Sequence, residues 1–188
     1  MAFSNPPCAR CGRNNPAASR FCAGCGLPLG AAQADADAGF VALGPYEAPE
    51  PADPDLLRIL NAFVAKCGFD AMPATYGYRL DVPVRLDRRQ VVYVGPTGTD
   101  AEGRPLMGLV SVCGPATDRD SVTLLKWNAR IVEGHFAVKT LLGEDYFVVI
   151  HNIALSEARI LDPPNLVRRI AELADGLEDR LSRGKDLY

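Results

Sequence analysis

The stretch from Gly134 to Leu155 constrains this chain more than any other, because it reads as two strands meeting at a tight turn. Residues 134–142 (Gly-His-Phe-Ala-Val-Lys-Thr-Leu-Leu) are rich in strand formers and alternate in character. Gly143-Glu144-Asp145 then supplies turn residues. Tyr146 to Ile153 runs almost wholly apolar, as an interior strand covered on both faces would. A helical pattern lies on each side of the hairpin. The expected body is therefore a sheet with helices packed on it.

The 188 residues allow one medium domain plus an appendage. With 48% hydrophobic and 23% charged residues the composition is that of a globular protein. The net charge of −3 gives no general attraction to nucleic acid or to an anionic membrane. No apolar run approaches the ~20 residues of a spanning helix. The first residues carry neither a basic nor an apolar leader region, so the expectation is a cytoplasmic protein. Charge divides the chain. Residues 1–29 carry Arg10, Arg13 and Arg20 and no acid, while residues 30–53 carry five acids and no base. Both breaks coincide with changes in composition, so the expected boundaries are 1–29, 30–53 and 54–188.

In the first segment, Cys8 and Cys11 form one CxxC pair and Cys22 and Cys25 another, each followed by glycine. Such a knuckle turns two sulfurs toward one point, and the glycine permits the left-handed backbone the turn needs. Two knuckles offer four thiolates to a tetrahedral ion at ~2.3 Å. A filled set leaves no open position for water, so the metal is structural. Ligand type alone leaves iron open beside zinc. The run Cys8 to Cys11-Gly12, Asn15-Pro16, Phe21-Cys22 to Cys25-Gly26 and Leu27 resembles the short bacterial zinc-ribbon family. That resemblance implies Zn2+ held by Cys8, Cys11, Cys22 and Cys25.

Residues 30–53 read as a flexible tether: alanine-rich, acidic and spaced by Pro45, Pro49 and Pro51. Phe40-Val41-Ala42-Leu43 is its one apolar patch. It either docks on the body or serves as a recognition segment, and docking is the simpler reading.

The body opens with Asp53-Pro54, an N-cap and first-turn proline, ahead of Leu56, Leu57, Leu60, Phe63, Val64 and Cys67 at helical spacing. Gly68 is placed to end that helix. Tyr78–Leu86 alternates as a strand, demoted to the edge of the sheet by Pro83. Gln90–Val94 is a second strand, 95–104 a loop and Leu106–Cys113 a third strand, broken by Gly114-Pro115. A helix capped at Thr117 or Asp118 runs through Ile131, its apolar side made of Val122, Leu125, Ala129 and Val132 or of Leu124, Asn128 and Ile131. After the hairpin, Asp162-Pro163 begins a helix with a stripe of Leu166, Val167, Ile170, Leu173, Ala174, Leu177 and Leu181. The order α-β-β-β-α-β-β-α is that of an α+β layer.

Leu124-Leu125-Lys-Trp-Asn128-Ala-Arg-Ile, the Gly-His-Phe-Ala hairpin start, the strand Tyr146–Ile150 and the helix run Ala174-Asp175-Gly-Leu177-Glu178 together resemble class I type III secretion chaperones and their YbjN-like relatives. The resemblance implies an α+β chaperone-like domain that binds another polypeptide, often as a homodimer, with no catalytic residues. The expected function is thus a non-enzymatic protein-binding module, chaperone-like or adaptor, carrying a structural zinc ribbon. The alternative is a regulator that contacts nucleic acid or transcription machinery through the ribbon.

Local patterns offer little chemistry besides the metal. His135 and His151 sit in proposed strands without a neighbouring carboxylate or cysteine in sequence. Cys67 and Cys113 occupy apolar positions of a helix and a strand, where buried thiols belong. Gly95-Pro-Thr-Gly98 lacks the ending of a phosphate loop. Arg85, Arg88 and Arg89 read as a solvated strand end, and Trp127 as partly buried.

Overall fold

Three helices and six strands alternate in the order α-β-β-β-β-α-β-β-α across residues 54–183. The structure, a computed structural model, describes Asn14, which is exposed, and residues 54–74, 77–85, 88–141, 144–158 and 160–183. The four ribbon cysteines, the 30–53 tether and the Asp53 cap lie outside the described residues. The elements are α1 (Pro54–Cys67), β1 (Asp70–Ala74), β2 (Gly77–Arg85), β3 (Arg88–Thr99) and β4 (Pro105–Pro115). They continue with α2 (Asp118–Asn128), β5 (His135–Leu141), β6 (Glu144–Ala154) and α3 (Pro163–Arg183). The strands form one antiparallel sheet in the order β1-β2-β3-β4-β6-β5. This is a mixed helix and antiparallel-sheet body, an α+β arrangement.

The helices follow the sequence pattern closely. Leu56, Leu60, Phe63, Val64 and Cys67 of α1 are buried, and Gly68 at φ 69° ends it. On α3, Leu166, Val167, Ile170, Ala174 and Leu177 are buried, and this 21-residue helix lies along β4, β2 and β3. Sheet residues facing the helices (Leu80, Val82, Val92, Met107, Leu109, Phe147 and Val149 among them) complete one core. β6 lies between β4 and β5, and its run from Tyr146 to Ile150 is buried throughout, as a strand apolar on both faces requires.

Five sequence expectations need correction. Strand β1 adds a fourth strand before α2. Its residues are exposed or half-buried and include Met72-Pro73, so no alternating pattern announced it. Consequently β2 is not the sheet edge. β1 pairs only with residues 77–81 of β2, which leaves Pro83 beyond its reach. On the β3 side the register shifts between Pro83 and Arg85. The missing N–H of proline is thereby accommodated without an edge position. β3 does not stop at Val94 but continues to Thr99 through a bulge at Pro96–Gly98. Gly108 opposite makes room for it, because a Cβ there would collide with the Thr97 side chain. β4 likewise runs through Gly114-Pro115, bending at a register shift between Val112 and Gly114, with Gly114 at φ 145°.

Helix α2 ends at Asn128, three residues short of the expected Ile131. Its N-cap is Thr117, whose hydroxyl donates to the Asp120 carboxylate at 2.6 Å and accepts no hydrogen bond from the helix backbone. Of the two apolar sides considered, Leu124, Asn128 and Ile131 face the body, while Val122 and Leu125 are 59% and 67% exposed.

Candidate functional site

Asn128 shows where the sheet meets the outside. Its side-chain nitrogen donates to the Phe136 carbonyl at 2.9 Å, and its oxygen accepts from the Phe136 N–H at 2.7 Å. Both main-chain groups of Phe136 therefore point away from β6, on the outer edge of β5. Hydrogen-bonding direction alternates along an antiparallel strand, so Val138 and Thr140 also point their N–H and C=O outward. The carboxamide acts as a two-atom stand-in for a seventh strand at Phe136, and it stops there. Past it, the described residues place no further strand on the β5 edge.

Beside that open edge lies an apolar groove of about 140 Å³, lined by Ser121, Leu124 and Leu125 of α2, Phe136 and Val138 of β5, and Phe147 of β6. Val138 is 46% exposed on the groove side, and Leu125 and Val122 extend the apolar surface along α2. Trp127 packs at a tilt against Phe136 of the groove wall, ring centroids 6.1 Å apart, with the Arg180 guanidinium 4.6 Å above its own ring. Trp127 is half-buried, as its sequence position suggests. The arrangement can pair an extended backbone with β5 and take apolar side chains beside it. In the sequence Asn128 stands on an otherwise apolar stripe. A buried amide needs partners, and that was the available signal.

The two histidines part company. His135 is exposed on the sheet face away from the helices, opposite Ile150. His151 accepts the Gly134 N–H at Nδ1, 2.9 Å away, so its ring proton sits on Nε2. Burial pushes His151 below its ordinary value; Glu133 opposes that shift, while His135 and Arg169 add to it. A ring held neutral to accept a backbone N–H is a fastener for the start of β5. The unfolded chain protonates near pH ~6.5. With the folded value lower, the His151 contribution is complete above that pH and is lost as pH falls from there through the folded value. Expected, then, is a steeper loss of unfolding free energy between pH 7.5 and 5.5 in the native chain than in His151→Gln. Equal slopes in urea titrations at the two pH values would refute the role.

Cys67 and Cys113 are core thiols, 3% and 1% exposed. Burial pushes Cys67 up to about 12, and its Sγ donates to the Phe63 carbonyl at 3.3 Å. Among the described residues no group of three or more His, Cys, Asp or Glu side chains is placed to hold a metal, and no helix is long and apolar enough to cross a membrane.

The arginines at the β2–β3 turn are not a merely solvated strand end. Arg88 approaches Asp175 of α3 at 2.7 Å and Arg85 approaches it at 3.3 Å, with the Asp175 side chain 2% exposed. Glu178 and Asp179 lie 3.8 and 3.7 Å from Arg88. Arg89 turns the other way, to Asp70 of β1 at 3.1 Å. The cluster neutralises buried acids and is no vacant anion site.

No family model matches this chain, and no curated protein does. The function is accordingly read from the edge, the groove and the cysteine spacing.

Proposed function

We propose that the body is a non-enzymatic polypeptide-binding module, chaperone-like or adaptor in character, that takes an extended segment along the outer edge of β5. The observation that carries this is the coincidence of outward main-chain groups at Val138 and Thr140, unpaired among the described residues, with the apolar groove under Leu125. Strand addition supplies affinity through main-chain hydrogen bonds, and the groove selects for apolar residues at alternate positions. The resemblance to type III secretion chaperones and YbjN-like proteins points the same way, although this chain has four strands before its second helix. In this reading the ribbon cysteines Cys8, Cys11, Cys22 and Cys25 hold a structural Zn2+, and the tip adds a second, weaker contact in the cytoplasm.

The test uses the full chain against a displayed library of random 12-residue peptides. Selected peptides should carry apolar residues at alternate positions. Leu125→Asp, which alters a residue 67% exposed and outside the core, should weaken them at least tenfold. Selection that yields nothing, or binding unchanged by Leu125→Asp, would end this reading. Loss through Cys22→Ser instead, with strong salt dependence, would move the contact to the ribbon and favour the regulatory alternative. Sedimentation at rising concentration separates a second copy from a foreign peptide as the occupant.

A further inference from the structure

All three helices pack on one face of the sheet, yet the opposite face is also dry. Tyr93 is 4% exposed, Val110 and Val148 0%, Tyr146 1% and Ile150 8%. Every member of this second cluster belongs to a strand, whereas the residues of α1, α2 and α3 belong to the first. An antiparallel sheet with one free face ordinarily turns polar residues outward there. This one carries tyrosines and branched aliphatics, and no residue of the three helices belongs to their cluster.

We propose that Phe40-Val41-Ala42-Leu43 of the same chain lies on this face and forms its second layer. The segment is the densest apolar run in residues 28–53. Residues 44–53 join it to the start of α1 and reach up to ~33 Å when extended. Adjacent layers pack about 10 Å apart, so the helix layer and a layer on the opposite face are roughly 20 Å apart, within that reach. Charge fits as well. Asp35, Asp37, Glu47 and Glu50 flank the segment, while Arg79 and Lys139 stand at the two borders of the face, in register with Tyr93 and Tyr146. The Arg79 Nε is buried without a hydrogen-bond partner, which suits an incoming acid.

Docking in cis defeats a second copy on concentration alone. A ten-residue connection holds the segment at an effective concentration near the millimolar range, far above that of another molecule at micromolar concentration. It also shortens the free tether of the ribbon from residues 30–53 to residues 30–39. The root-mean-square reach falls from about 27 Å to about 17 Å. The cysteine-bearing tip is thereby kept close to the body and to any segment bound there.

The full chain, with valine and isoleucine methyls labelled, provides the test. Nuclear Overhauser contacts from the Phe40 ring to the Val110 and Val148 methyls should appear in dilute samples. Phe40→Ser with Leu43→Ser should abolish them, shift the Ile150 methyl and raise binding of a hydrophobic dye several-fold, with helix content unchanged. Absence of the contacts in the native chain overturns the proposal whatever the variant does. Contacts that arise only between differently labelled chains overturn it too, by giving the face to a second copy.

Discussion

Replacing Phe147 with alanine is expected to lower the unfolding free energy by about 3–5 kcal/mol. The ring is 1% exposed on β6, between β4 and β5, and sits beneath α2 with Leu124 and Phe136. Its removal deletes the transfer free energy of a buried aromatic ring and leaves a hole that neighbouring strands cannot close, because main-chain ladders hold them on both sides. The hole would open into the groove of about 140 Å³. Its walls are apolar, so entering water finds few partners and recovers little. Val138→Ala serves as the control: the residue is its register partner on β5 but is 46% exposed, and about 1 kcal/mol or less should be lost. Urea titrations of both variants measure the difference. Similar small losses for the two would mean that the ring does not bridge sheet and helix.

That residue also shows what the sequence could disclose. The unbroken apolar run of β6 announced a strand buried on both faces, since each face receives every second residue. Leu166–Leu177 and Leu56–Cys67 announced their helices for the same reason, a period matched to one buried side. β1 gave no such signal because almost none of it is buried. The bulges at Pro96 and Gly114 look like strand ends in the sequence because glycine and proline mark both turns and bulges. Whether the chain turns or merely bends there depends on the partner strand, here Gly108 beneath Thr97.

The groove was hidden for a different reason. Which strand borders a sheet is a matter of topology, and β6 enters between β4 and β5 only once the hairpin has folded back. Asn128 and the exposed Leu125 acquire their meaning from that border. The cysteine pairs are the opposite case: their spacing speaks without any tertiary context, and they lie outside the described residues.

Asp175 supplies the second large effect, and here magnitudes must be weighed. Breaking a fully buried ion pair costs ~3–5 kcal/mol, because one charge stays behind in a poor medium. The carboxylate is buried, but the Arg88 and Arg85 side chains are 32% and 54% exposed, so both guanidiniums recover water when it is removed. Arg88 also keeps Glu178 and Asp179 within 4 Å. The 2.7 Å approach to Asp175 is an ion contact outside hydrogen-bond alignment, which lowers its value again. Asp175→Ala is therefore expected to cost about 2 kcal/mol, and Arg88→Ala as much or more, since it strands the buried acid. The double variant should cost less than the sum by about 1 kcal/mol. The pair ties α3 to the β2–β3 turn, at the far side of the sheet order from the β5 groove. Peptide binding should consequently survive all three variants under conditions where they remain folded. Additive losses would show that the two side chains act independently, and α3 would then be held by its apolar stripe alone.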